Sequence, residues 1–378
     1  MPWSKVNLVD QKLNIIEAIL LPEANVQAIC AEHNISRKTA YKWLKRYRSD
    51  GLLGLSDKSR ARINQPNKTQ KRIEQSVLDL HHSYPYWGPR KLRHLAITKG
   101  LFTKEELPSV STFGRILVRN NCEVIKSIKS KPASIRFERK TPNDLWQMDF
   151  KGSFMTDSSR CHPLTIIDDH SRYSIELHAY NDEKKESVKT SLIKRFKEFG
   201  LPRQINVDNG SPWGIPALKG ITHLEVWLLK HGVRLSHSAP RHPQTNGKNE
   251  RFHRTLKLEV LHERRYKNNR EIQKAFDVFR HQYNYIRPHD SLDGEAPFVR
   301  YQISSRRYMT NGLGFEYPEG EIVRRVSDRS TIQFKGSSFF IGGGLKGEGV
   351  AIKETAEPGK FAIFFMDKLI KHITVSHA

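Results

Sequence analysis

Cysteine and long apolar segments are scarce in this sequence, and their scarcity excludes several classes of protein. Among 378 residues there are three cysteines, and they lack the paired spacing of a disulfide framework or a zinc site: Cys30, Cys122 and Cys161. No apolar run approaches the roughly 18 residues that a membrane-spanning helix needs, and the N-terminal MPWSKVNLVDQK is polar, unlike a signal peptide. These absences predict a cytosolic protein rather than a secreted or membrane protein.

Acidic residues are outnumbered, which points to an anionic partner. Lys and Arg total 64 against 40 Asp and Glu, so the formal net charge is +24. An excess of this size favours nucleic acid or an anionic membrane surface, and the absence of a spanning segment argues against the membrane. The length suffices for two or three domains, each with its own core. We therefore expect a multidomain protein that binds nucleic acid.

Residues 1–49 have the pattern of a helix-turn-helix DNA-binding domain. The segment NVQAICAEHNISRKTAYKWLKRYR predicts a short helix, a tight turn at His33-Asn34 and a second helix capped by Ser36. One face of the second helix is expected to be buried, with Ala40, Trp43, Leu44 and Tyr47. The opposite face would enter a DNA major groove and presents Arg37, Lys38, Tyr41 and Lys42. The alternative is a plain helical bundle with a solvated basic face.

A second helix-turn-helix-like DNA-binding domain is predicted over residues 70–125. Its first helix has an apolar stripe formed by Ile73, Val77 and Leu80. Pro89 suits the first turn of another helix, and LPSVSTFGRILVRNN supplies a Ser-capped helix with Arg115 facing outward as a DNA contact. Two DNA-reading domains in tandem predict a long binding site rather than a short operator half-site.

Two basic linkers separate these domains from each other and from the rest of the chain. The first spans residues 50–69, and its Arg60 and Arg62 are predicted to follow phosphates or to lie in a minor groove. The second spans residues 126–143. Both lack hydrophobic periodicity and contain several cations, which is typical of linkers.

The pattern changes to mixed α and β structure beyond Asp144. Over residues 144–300, strand-like segments such as DLWQMDF alternate with amphipathic helices, which predicts a mixed α/β domain. Residues 301–378 contain short alternating segments separated by Gly and Pro, which predicts a small β-barrel. The expected fold class is therefore multidomain: all-α helix-turn-helix modules, an α/β core and a C-terminal small β-barrel.

Three acidic residues of the α/β domain have positions suited to catalysis. Asp149 ends an apolar run, Asp208 ends INVD before a Gly turn, and Glu250 begins the helix after the HPQTNG loop. Strand ends and helix starts project side chains into a cleft at a sheet edge, where three carboxylates would repel one another without a divalent cation. Their hard oxygen atoms suit Mg²⁺ or Mn²⁺. Two such ions about 3.5–4 Å apart can support in-line phosphoryl displacement without a nucleophilic side chain.

The helix that begins at Glu250 has one acidic residue among many basic ones in GKNERFHRTLK. A solvated charged face would mix the two signs, so this composition indicates a carboxylate placed close to a bound polyanion. The predicted DNA contacts around it are Arg241, Lys248, Arg251 and Arg254.

The segments DLWQMDF, LTIIDDHSRY, VDNGSPW and HPQTNGKNERFHRTLK resemble the DDE integrase core of retroviral integrases and bacterial insertion-sequence transposases. Within that family, the sequence of the loop and helix around Glu250 is most similar to the IS481 group of the IS3-like set. The resemblance covers about residues 144–300. It implies an RNase H-like fold and a catalytic, metal-binding triad of Asp149, Asp208 and Glu250 that holds two Mg²⁺ or Mn²⁺ ions.

The resemblance also assigns DNA contacts, and the sequence departs from the family at two points. Lys257 stands where the family has a basic residue seven positions after the glutamate, and Asn246 lies in the loop that contacts the terminal bases. The 41 residues between Asp208 and Glu250 (209–249) exceed the family's usual spacing, and the excess around PWGIPALKGITHL indicates a loop insertion. Helix-turn-helix units also replace the zinc-binding module of retroviral integrases.

The function implied is that of a transposase in the bacterial cytoplasm, associated with the nucleoid. It would bind the terminal inverted repeats of its element, nick DNA to free a 3′-OH, and join that hydroxyl to target DNA. The active form would be a homodimer or a higher oligomer, because two ends must be joined together. The competing interpretation is a DNA-binding regulator derived from a transposase and lacking catalysis. A metal-dependent nuclease without strand transfer is a third, weaker interpretation.

Several polar residues near the predicted triad are interpreted as structural. Asp168 and Asp169 are adjacent on a strand, so at most one of them can face the cleft. In YNYIRPHDSLDGEAP, four residues are expected to be structural or to contact the DNA backbone: Asn284, Arg287, Pro288 and His289. The catalytic set also excludes three histidines, His170, His237 and His242.

Overall fold

The computed structural model describes residues 7–57, 68–123, 138–210, 212–213, 221–238, 247–262 and 264–375. The chain divides into two compact units, Met1–Lys68 and Thr69–Ala378. Within the described ranges, every helix is too short or too polar to span a bilayer.

The first unit is a small helical domain with the helix-turn-helix arrangement. Its described part, residues 7–57 and 68, contains three helices and a 3-10 turn: α1 (Leu8–Leu20), α2 (Val26–Glu32), α3 (Arg37–Asp50) and Gly51–Leu55. Ser36 caps α3, because its hydroxyl accepts a hydrogen bond from Thr39 N at 3.1 Å. Asn34 has a left-handed backbone (φ 52°) in the turn between α2 and α3. The predicted helix, turn and capped helix are all present.

The faces of α3 agree with the prediction on the exposed side and in part on the buried side. Ala40 and Leu44 are buried as expected, whereas Trp43 and Tyr47 are only half-buried at the edge of the core. The four predicted DNA-contacting side chains of this helix are all exposed: Arg37, Lys38, Tyr41 and Lys42.

Residues 51–57, predicted as the start of a linker, pack on the first unit instead. Leu55 is buried in its core, and the buried Lys12 Nζ donates to Leu55 O at 3.0 Å. Lys12 Nζ also pairs with Asp57 Oδ1 at 2.8 Å. A buried ammonium group needs partners to offset its desolvation, so these contacts hold the segment against α1.

Three helices at the start of the second unit form the second helix-turn-helix-like region: α4 (Lys71–Ser83), α5 (Pro89–Thr98) and α6 (Val110–Arg119). Pro89 is the first residue of α5, and Ser109 caps α6 by accepting from Thr112 N at 3.3 Å. Arg115 is exposed on α6, as predicted. The core contains the predicted stripe of α4 together with three residues of α6: Ile73, Val77, Leu80, Phe113, Ile116 and Leu117.

A mixed sheet with helices on both faces forms the centre of the second unit. Its strands are β1 (Trp146–Phe150), β2 (Phe154–Met155), β3 (Arg160–Asp168), β4 (Ser174–Tyr180), β5 (Gln204–Val207) and β6 (Arg234–His237). Their order is β2-β3-β1-β5-β6, and β4 also pairs with β3. Strand β3 is antiparallel to β1 and β4, whereas β1, β5 and β6 run parallel. This arrangement agrees with the predicted RNase H-like core.

Among the described residues, the helices that cover this sheet are α7 (Lys185–Phe199), α8 (His223–Lys230), α9 (Gly247–Leu256) and α10 (Asn269–His281). The last two continue directly into π-helical turns at Lys257–Leu261 and Gln282–Ile286. Gly200 ends α7 with a positive φ of 74°, a backbone conformation that favours glycine.

The two faces of the sheet differ in polarity because side chains alternate along each strand. Trp146 and Met148 of β1 lie in an apolar core with residues of α7 and α8. Gln147 and Asp149 of the same strand lie on the opposite face, over which α9 packs against β1 and β3. That opposite face is closed beside α9 and α10 by a second apolar cluster: Cys161, Ile167, Leu177, Phe252, Leu256, Phe276 and Phe279.

The N-terminal border of the α/β domain lies before the predicted limit. Residues 138–143, predicted as part of a linker, hydrogen-bond to the domain. Arg139 N donates to Asp169 Oδ2 and Asn143 N donates to Asp168 Oδ2, each at 2.7 Å. The basic, aperiodic sequence of residues 138–143 does not predict these hydrogen bonds, because the acceptors lie 25 and 30 residues further along the chain.

The C-terminal border also lies beyond the predicted one. Residues 301–321, predicted as part of a barrel, have no regular structure and lie along the α/β domain. Tyr301 stacks on Tyr173 with ring centroids 4.3 Å apart, and Arg306 donates to Gly232 O at 2.7 Å. This segment therefore belongs with the α/β domain.

The C-terminal strands form an open sheet, so the predicted closed β-barrel is not confirmed. The strands are β7 (Ile322–Arg325), β8 (Thr331–Phe334), β9 (Ser337–Phe340), β10 (Gly349–Glu354), β11 (Lys360–Phe365) and β12 (Lys368–Thr374). Four of them pair in the order β12-β11-β10-β7, and β8 pairs with β9 separately. Alternation and Gly turns predict strands and hairpins, but closure requires the outer strands to pair, which no local pattern specifies.

Candidate active site

A row of polar side chains crosses the three parallel strands on the face that carries α9. Gln147 of β1 is in register with Asn206 of β5, and Asn206 is in register with Ser236 of β6. Ser236 Oγ donates to Asn206 Oδ1, and Asn206 Nδ2 donates to Ser238 Oγ, each at 3.0 Å. These hydrogen bonds fix the polar row across the sheet.

Two of the predicted catalytic residues stand next along the same face. Asp149 follows Gln147 by two residues, and Asp208 follows Asn206 by two residues, so both side chains emerge on the polar side. Because β1 and β5 are parallel, the two carboxylates reach the same end of the sheet. Asp149 is half-buried, whereas Asp208 is exposed and accepts a hydrogen bond from Gly210 N at 3.0 Å.

A hydrogen-bonded pair connects α9 to the sheet beside Asp149. Thr165 of β3 lies directly opposite Asp149 in the antiparallel register, and its hydroxyl donates to Asp149 O at 2.9 Å. His253 Nε2 lies 2.8 Å from the same hydroxyl oxygen. The threonine has one hydrogen to donate, so His253 Nε2 must be the donor in this second bond. Burial lowers the pKa of His253 to about 4, which leaves the imidazole neutral near pH 7.

The third predicted catalytic residue, Glu250, lies one helical turn before His253 on α9. Residues three apart share a side of a helix, so Glu250 is on the side that faces the sheet near Asp149, and it is exposed. Over the described part of the chain, which includes all three triad positions, no three His, Cys, Asp or Glu side chains are close enough to hold a metal ion. The structure thus aligns Asp149 with Asp208 but does not gather Glu250 with them into a three-ligand group.

Asp168 and Asp169 have the structural contacts expected of them. Asp168 is buried and accepts hydrogen bonds from Asn143 N at 2.7 Å, Ser171 N at 2.8 Å and Ser171 Oγ at 2.6 Å. Burial raises the pKa of Asp168, and these donors counteract the shift in part. Asp169 accepts from Gln147 Nε2 at 2.8 Å, which connects it to the polar row.

The predicted DNA contacts on α9 divide into exposed residues and one enclosed residue. Arg251, Arg254 and Lys257 are exposed. Lys248 instead forms an ion pair with the fully buried Asp169, and its side chain is only 14% exposed. Its ammonium group therefore faces the protein interior in this structure. Four other predicted contacts lie outside the described residues: Arg60, Arg62, Arg241 and Asn246.

Asn284 and Arg287 have clear structural contacts. Asn284 is buried and exchanges two hydrogen bonds with the backbone of Ser174, at 2.8 Å and 3.0 Å, at the start of β4. Arg287 forms an ion pair with Glu259, and its guanidinium lies 5.5 Å from the ring centroid of Trp87. Trp87 precedes α5, so this cluster packs the second helix-turn-helix-like region against the α/β domain.

The residues that sequence reasoning missed on this face share one property, since each depends on strand register. Thr165 and His253 are 88 residues apart, and Asn206 and Ser236 are 30 apart. The alternation in β3 and the three-residue spacing of His253 from Glu250 are signals that could have identified the first pair. The polar row had no comparable signal, because isolated Asn and Ser residues in strands are common.

Models of known domain families match both the helix-turn-helix regions and the α/β domain. Residues 139–243 and 231–297 match two models described as an integrase core domain. Residues 11–63 match a helix-turn-helix domain, and residues 39–117 match a homeodomain-like domain. The chain is a DDE-type DNA transposase. Its recognition from sequence as a member of the transposase and integrase family is confirmed.

Several proteins of mobile elements are similar to the transposase over much of its length. An uncharacterized 39.2 kDa protein of insertion element IS476 from Xanthomonas euvesicatoria is 25% identical over 283 residues, which cover 73% of this chain and 78% of the relative. An uncharacterized 31.7 kDa protein of IS407 from Burkholderia multivorans is 22% identical over an alignment that covers 72% of this chain and 92% of the relative. The transposase for transposon Tn552 from Staphylococcus aureus is 23% identical over an alignment that covers 66% of this chain and 56% of the relative.

Solved structures of retroviral integrases are more distant from the transposase. The simian T-cell lymphotropic virus intasome in complex with a PP2A regulatory subunit aligns over 79% of this chain and 99% of the other, with a TM-score of 0.39 and 15% identity. The HTLV-2 integrase catalytic core domain in complex with magnesium aligns over 43% of this chain and 97% of the other, with a TM-score of 0.32 and 14% identity.

Proposed function

We propose that the transposase nicks DNA at the ends of its element to free a 3′-hydroxyl and then joins that hydroxyl to target DNA. Asp149, Asp208 and Glu250 would be the catalytic residues and the metal ligands. The observation that carries this proposal is the alignment of Asp149 with Asp208 on parallel strands, below the helix that carries Glu250.

The donor set of this face fits Mg²⁺ or Mn²⁺. Its side chains offer carboxylate and amide oxygens, which these hard cations prefer. Gln147 Oε1 is buried on the same face, and none of the described residues donates a hydrogen bond to it. This amide oxygen could therefore accept a hydrogen bond from a water molecule or bind a cation. Two bound ions would activate a water or a 3′-hydroxyl and stabilise the leaving oxygen of an in-line displacement.

The chain's own residues would position the reacting strand rather than act as nucleophiles. The parallel strands β1 and β5 would position the carboxylates of Asp149 and Asp208. Helix α9 would position the carboxylate of Glu250 beside them. The neutral His253 is already engaged with Thr165 as a donor, so we assign it a structural role rather than that of a general base. Positioning and charge would supply the catalysis, as is usual in phosphoryl transfer.

DNA recognition would come from the helix-turn-helix regions and the basic surface. The exposed face of α3 carries four predicted contacts suited to a major groove, and the net charge of +24 supports attachment to DNA phosphates. We propose that the two regions bind the terminal inverted repeats and that a dimer or larger homo-oligomer joins two ends. The C-terminal strands would hold DNA or a neighbouring subunit, and the protein would act in the cytoplasm at the nucleoid.

The test is metal-dependent nicking of a duplex that carries the sequence flanking the reading frame. We expect cleavage with Mg²⁺ or Mn²⁺, and its loss in Asp208→Asn and Glu250→Gln while DNA binding remains. Equal cleavage by these variants would refute the triad. Binding without any cleavage by the parent would favour a DNA-binding regulator. A pre-cut end separates a transposase from a nuclease, because only a transposase joins it to target DNA.

A further inference from the structure

Asp169 connects the strand of one proposed metal ligand to the helix of another. Its Oδ1 atom accepts a hydrogen bond from Gln147 Nε2 at 2.8 Å and also pairs with Lys248 Nζ. Gln147 lies two residues before Asp149 on β1. Lys248 lies two residues before Glu250 on α9. A single carboxylate oxygen thus joins the two segments that carry these proposed ligands.

The sheet side of this connection is firmly held. Asp169 is fully buried, its backbone N donates to Leu145 O at 2.9 Å, and its Oδ2 atom accepts from Arg139 N at 2.7 Å. Together with the Gln147 contact, these bonds engage the backbone and both carboxylate oxygens of Asp169. A buried charge needs such partners, so Asp169 is a fixed attachment point for Lys248.

Lys248 is directed inward although it lies at the start of a helix. It is the second residue of α9, and its side chain is only 14% exposed. A cation near a helix N-terminus opposes the helix dipole, and burial adds a desolvation cost. Helix stability therefore does not explain a lysine at this position. Its pairing with Asp169 instead fixes the first turn of α9 to the sheet.

A second contact holds α9 on the other side of Glu250. His253 lies three residues after Glu250, and its Nε2 atom is 2.8 Å from the hydroxyl oxygen of Thr165 on β3. Glu250 thus lies between two attachments of its helix, while its own side chain is exposed. Attachments on both sides of a residue restrict the movement of its helical turn, which is how supporting contacts place a functional group.

We propose that Lys248 is a positioning residue, which through Asp169 places the carboxylate of Glu250 for metal binding. This inference rests on the proposed function, because it takes Glu250 as a metal ligand. It also gives Lys248 a role different from the DNA contact that its basic sequence context predicts. A phosphate would have to displace a buried carboxylate to pair with this ammonium group.

The test measures Mn²⁺ binding by the full chain without DNA, with free Mn²⁺ followed by electron paramagnetic resonance. We expect Lys248→Met to weaken the Mn²⁺ affinity by about 10–100-fold, the usual cost of removing a residue that orients a metal ligand. Electrostatics alone predicts the opposite result, because loss of a nearby positive charge should strengthen cation binding. Lys248→Arg retains a cationic partner for Asp169 and should keep close to the parental affinity.

Two further variants identify the source of the effect. Lys185 is exposed in the first turn of α7, which packs on the apolar face of the sheet, so Lys185→Met should keep the parental Mn²⁺ affinity. Glu250→Gln should weaken Mn²⁺ binding at least as much as Lys248→Met. When Glu250→Gln is already present, Lys248→Met should add little, because Lys248 acts through Glu250.

DNA binding without divalent metal separates positioning from a phosphate contact. The probe is a duplex that carries the sequence flanking the reading frame, and its affinity is measured over a series of salt concentrations. Loss of one phosphate contact reduces the slope of log affinity against log salt concentration by about 0.9. We expect Lys248→Met to retain the parental slope. A reduced slope would assign Lys248 to DNA and overturn the proposal.

The Mn²⁺ affinity of the Lys248 variants decides the inference. Parental affinity in folded Lys248→Met would overturn it, and Lys248→Gln is a second uncharged variant if methionine destabilises α9 in urea unfolding. The inference fails alone if Glu250→Gln weakens Mn²⁺ binding and Lys248→Met does not. If Glu250→Gln binds Mn²⁺ as tightly as the parent, the proposed function fails and this inference fails with it.

Discussion

Thr165 and His253 join the central sheet to α9 through a contact of 2.8 Å between the threonine hydroxyl and His253 Nε2. The same hydroxyl donates to the carbonyl oxygen of Asp149, so a single side chain connects the strand of one proposed catalytic residue to the helix of another. The position of Glu250 relative to Asp149 therefore depends in part on this pair.

Removal of the Thr165 hydroxyl should weaken both folding and catalysis. Thr165→Val preserves the shape of the side chain but leaves the half-buried His253 N–H without its acceptor, which costs about 1–3 kcal/mol. We expect a lower free energy of unfolding in urea and slower nicking, because α9 loses its link to β3. Thr165→Ser retains the hydroxyl and serves as the control. Equal stability of the Val and Ser variants would contradict the assigned hydrogen bond.

Acidification should destabilise the protein through His253. Its pKa is lowered in the folded state from 6.5 to about 4, so the unfolded chain binds more protons than the folded one between these values. Stability is therefore complete above pH 6.5 and falls as the pH decreases towards 4. At about 1.4 kcal/mol per pKa unit, this group alone accounts for a loss of roughly 3 kcal/mol.

The measurement is the free energy of unfolding in urea as a function of pH for the parent and for His253→Asn. Asparagine can donate to Thr165 but does not titrate, so the variant should lose less stability over this range. His289, whose pKa burial lowers to about 3, contributes equally to both proteins and cancels in the comparison. Parallel pH profiles would show that His253 is not the titrating group.

The ion pair of Glu259 with Arg287 should be important for attaching the second helix-turn-helix-like region. Both side chains are 8% exposed, and Trp87 Nε1 donates to the same carboxylate at 3.5 Å. Removal of one partner leaves a buried charge, so we expect Glu259→Gln to cost about 3–5 kcal/mol in urea unfolding. The exposed pair of Arg300 with Glu295 is the control.

In that control, Arg300→Ala should cost about 0–1 kcal/mol, since the pair is open to solvent. A double variant that replaces Glu259 and Arg287 by Leu and Met should recover most of the lost stability, because no buried charge remains. If Glu259→Gln costs no more than Arg300→Ala, the buried pair does not stabilise this interface.

The parts of the structure that could be predicted from sequence are those specified by short-range patterns. The cap at Ser36, the exposed cations of α3 and the strand-end position of Asp149 all follow from residue type and periodicity within a few positions. The ion pair of Lys248 with Asp169 is not predictable from sequence, because it joins residues 79 apart, and the local pattern assigns Lys248 to DNA. The prediction of a closed barrel is not confirmed for the same reason, because closure depends on which distant strands pair with each other.

The open C-terminal sheet is attached to the α/β domain through α8, and a glycine controls how closely the two approach. Gly344 N donates to Ile221 O at 3.2 Å, and a Cβ atom on Gly344 would come 2.5 Å from Thr222 C and 2.8 Å from His223 N. Ile221, Val226 and Leu229 at this site belong to the same apolar core as the C-terminal strands.

Gly344→Ala should therefore separate the C-terminal strands from α8. The clash is with backbone atoms, which cannot rotate away, so we expect a loss of about 1–3 kcal/mol and faster proteolytic release of the C-terminal segment. Gly343 is the control, because a Cβ atom there would meet only Ser330 Oγ at 4.0 Å. Gly343→Ala should be digested at the parental rate. Identical digestion of the two alanine variants would mean that the close approach at Gly344 does not hold the sheet in place.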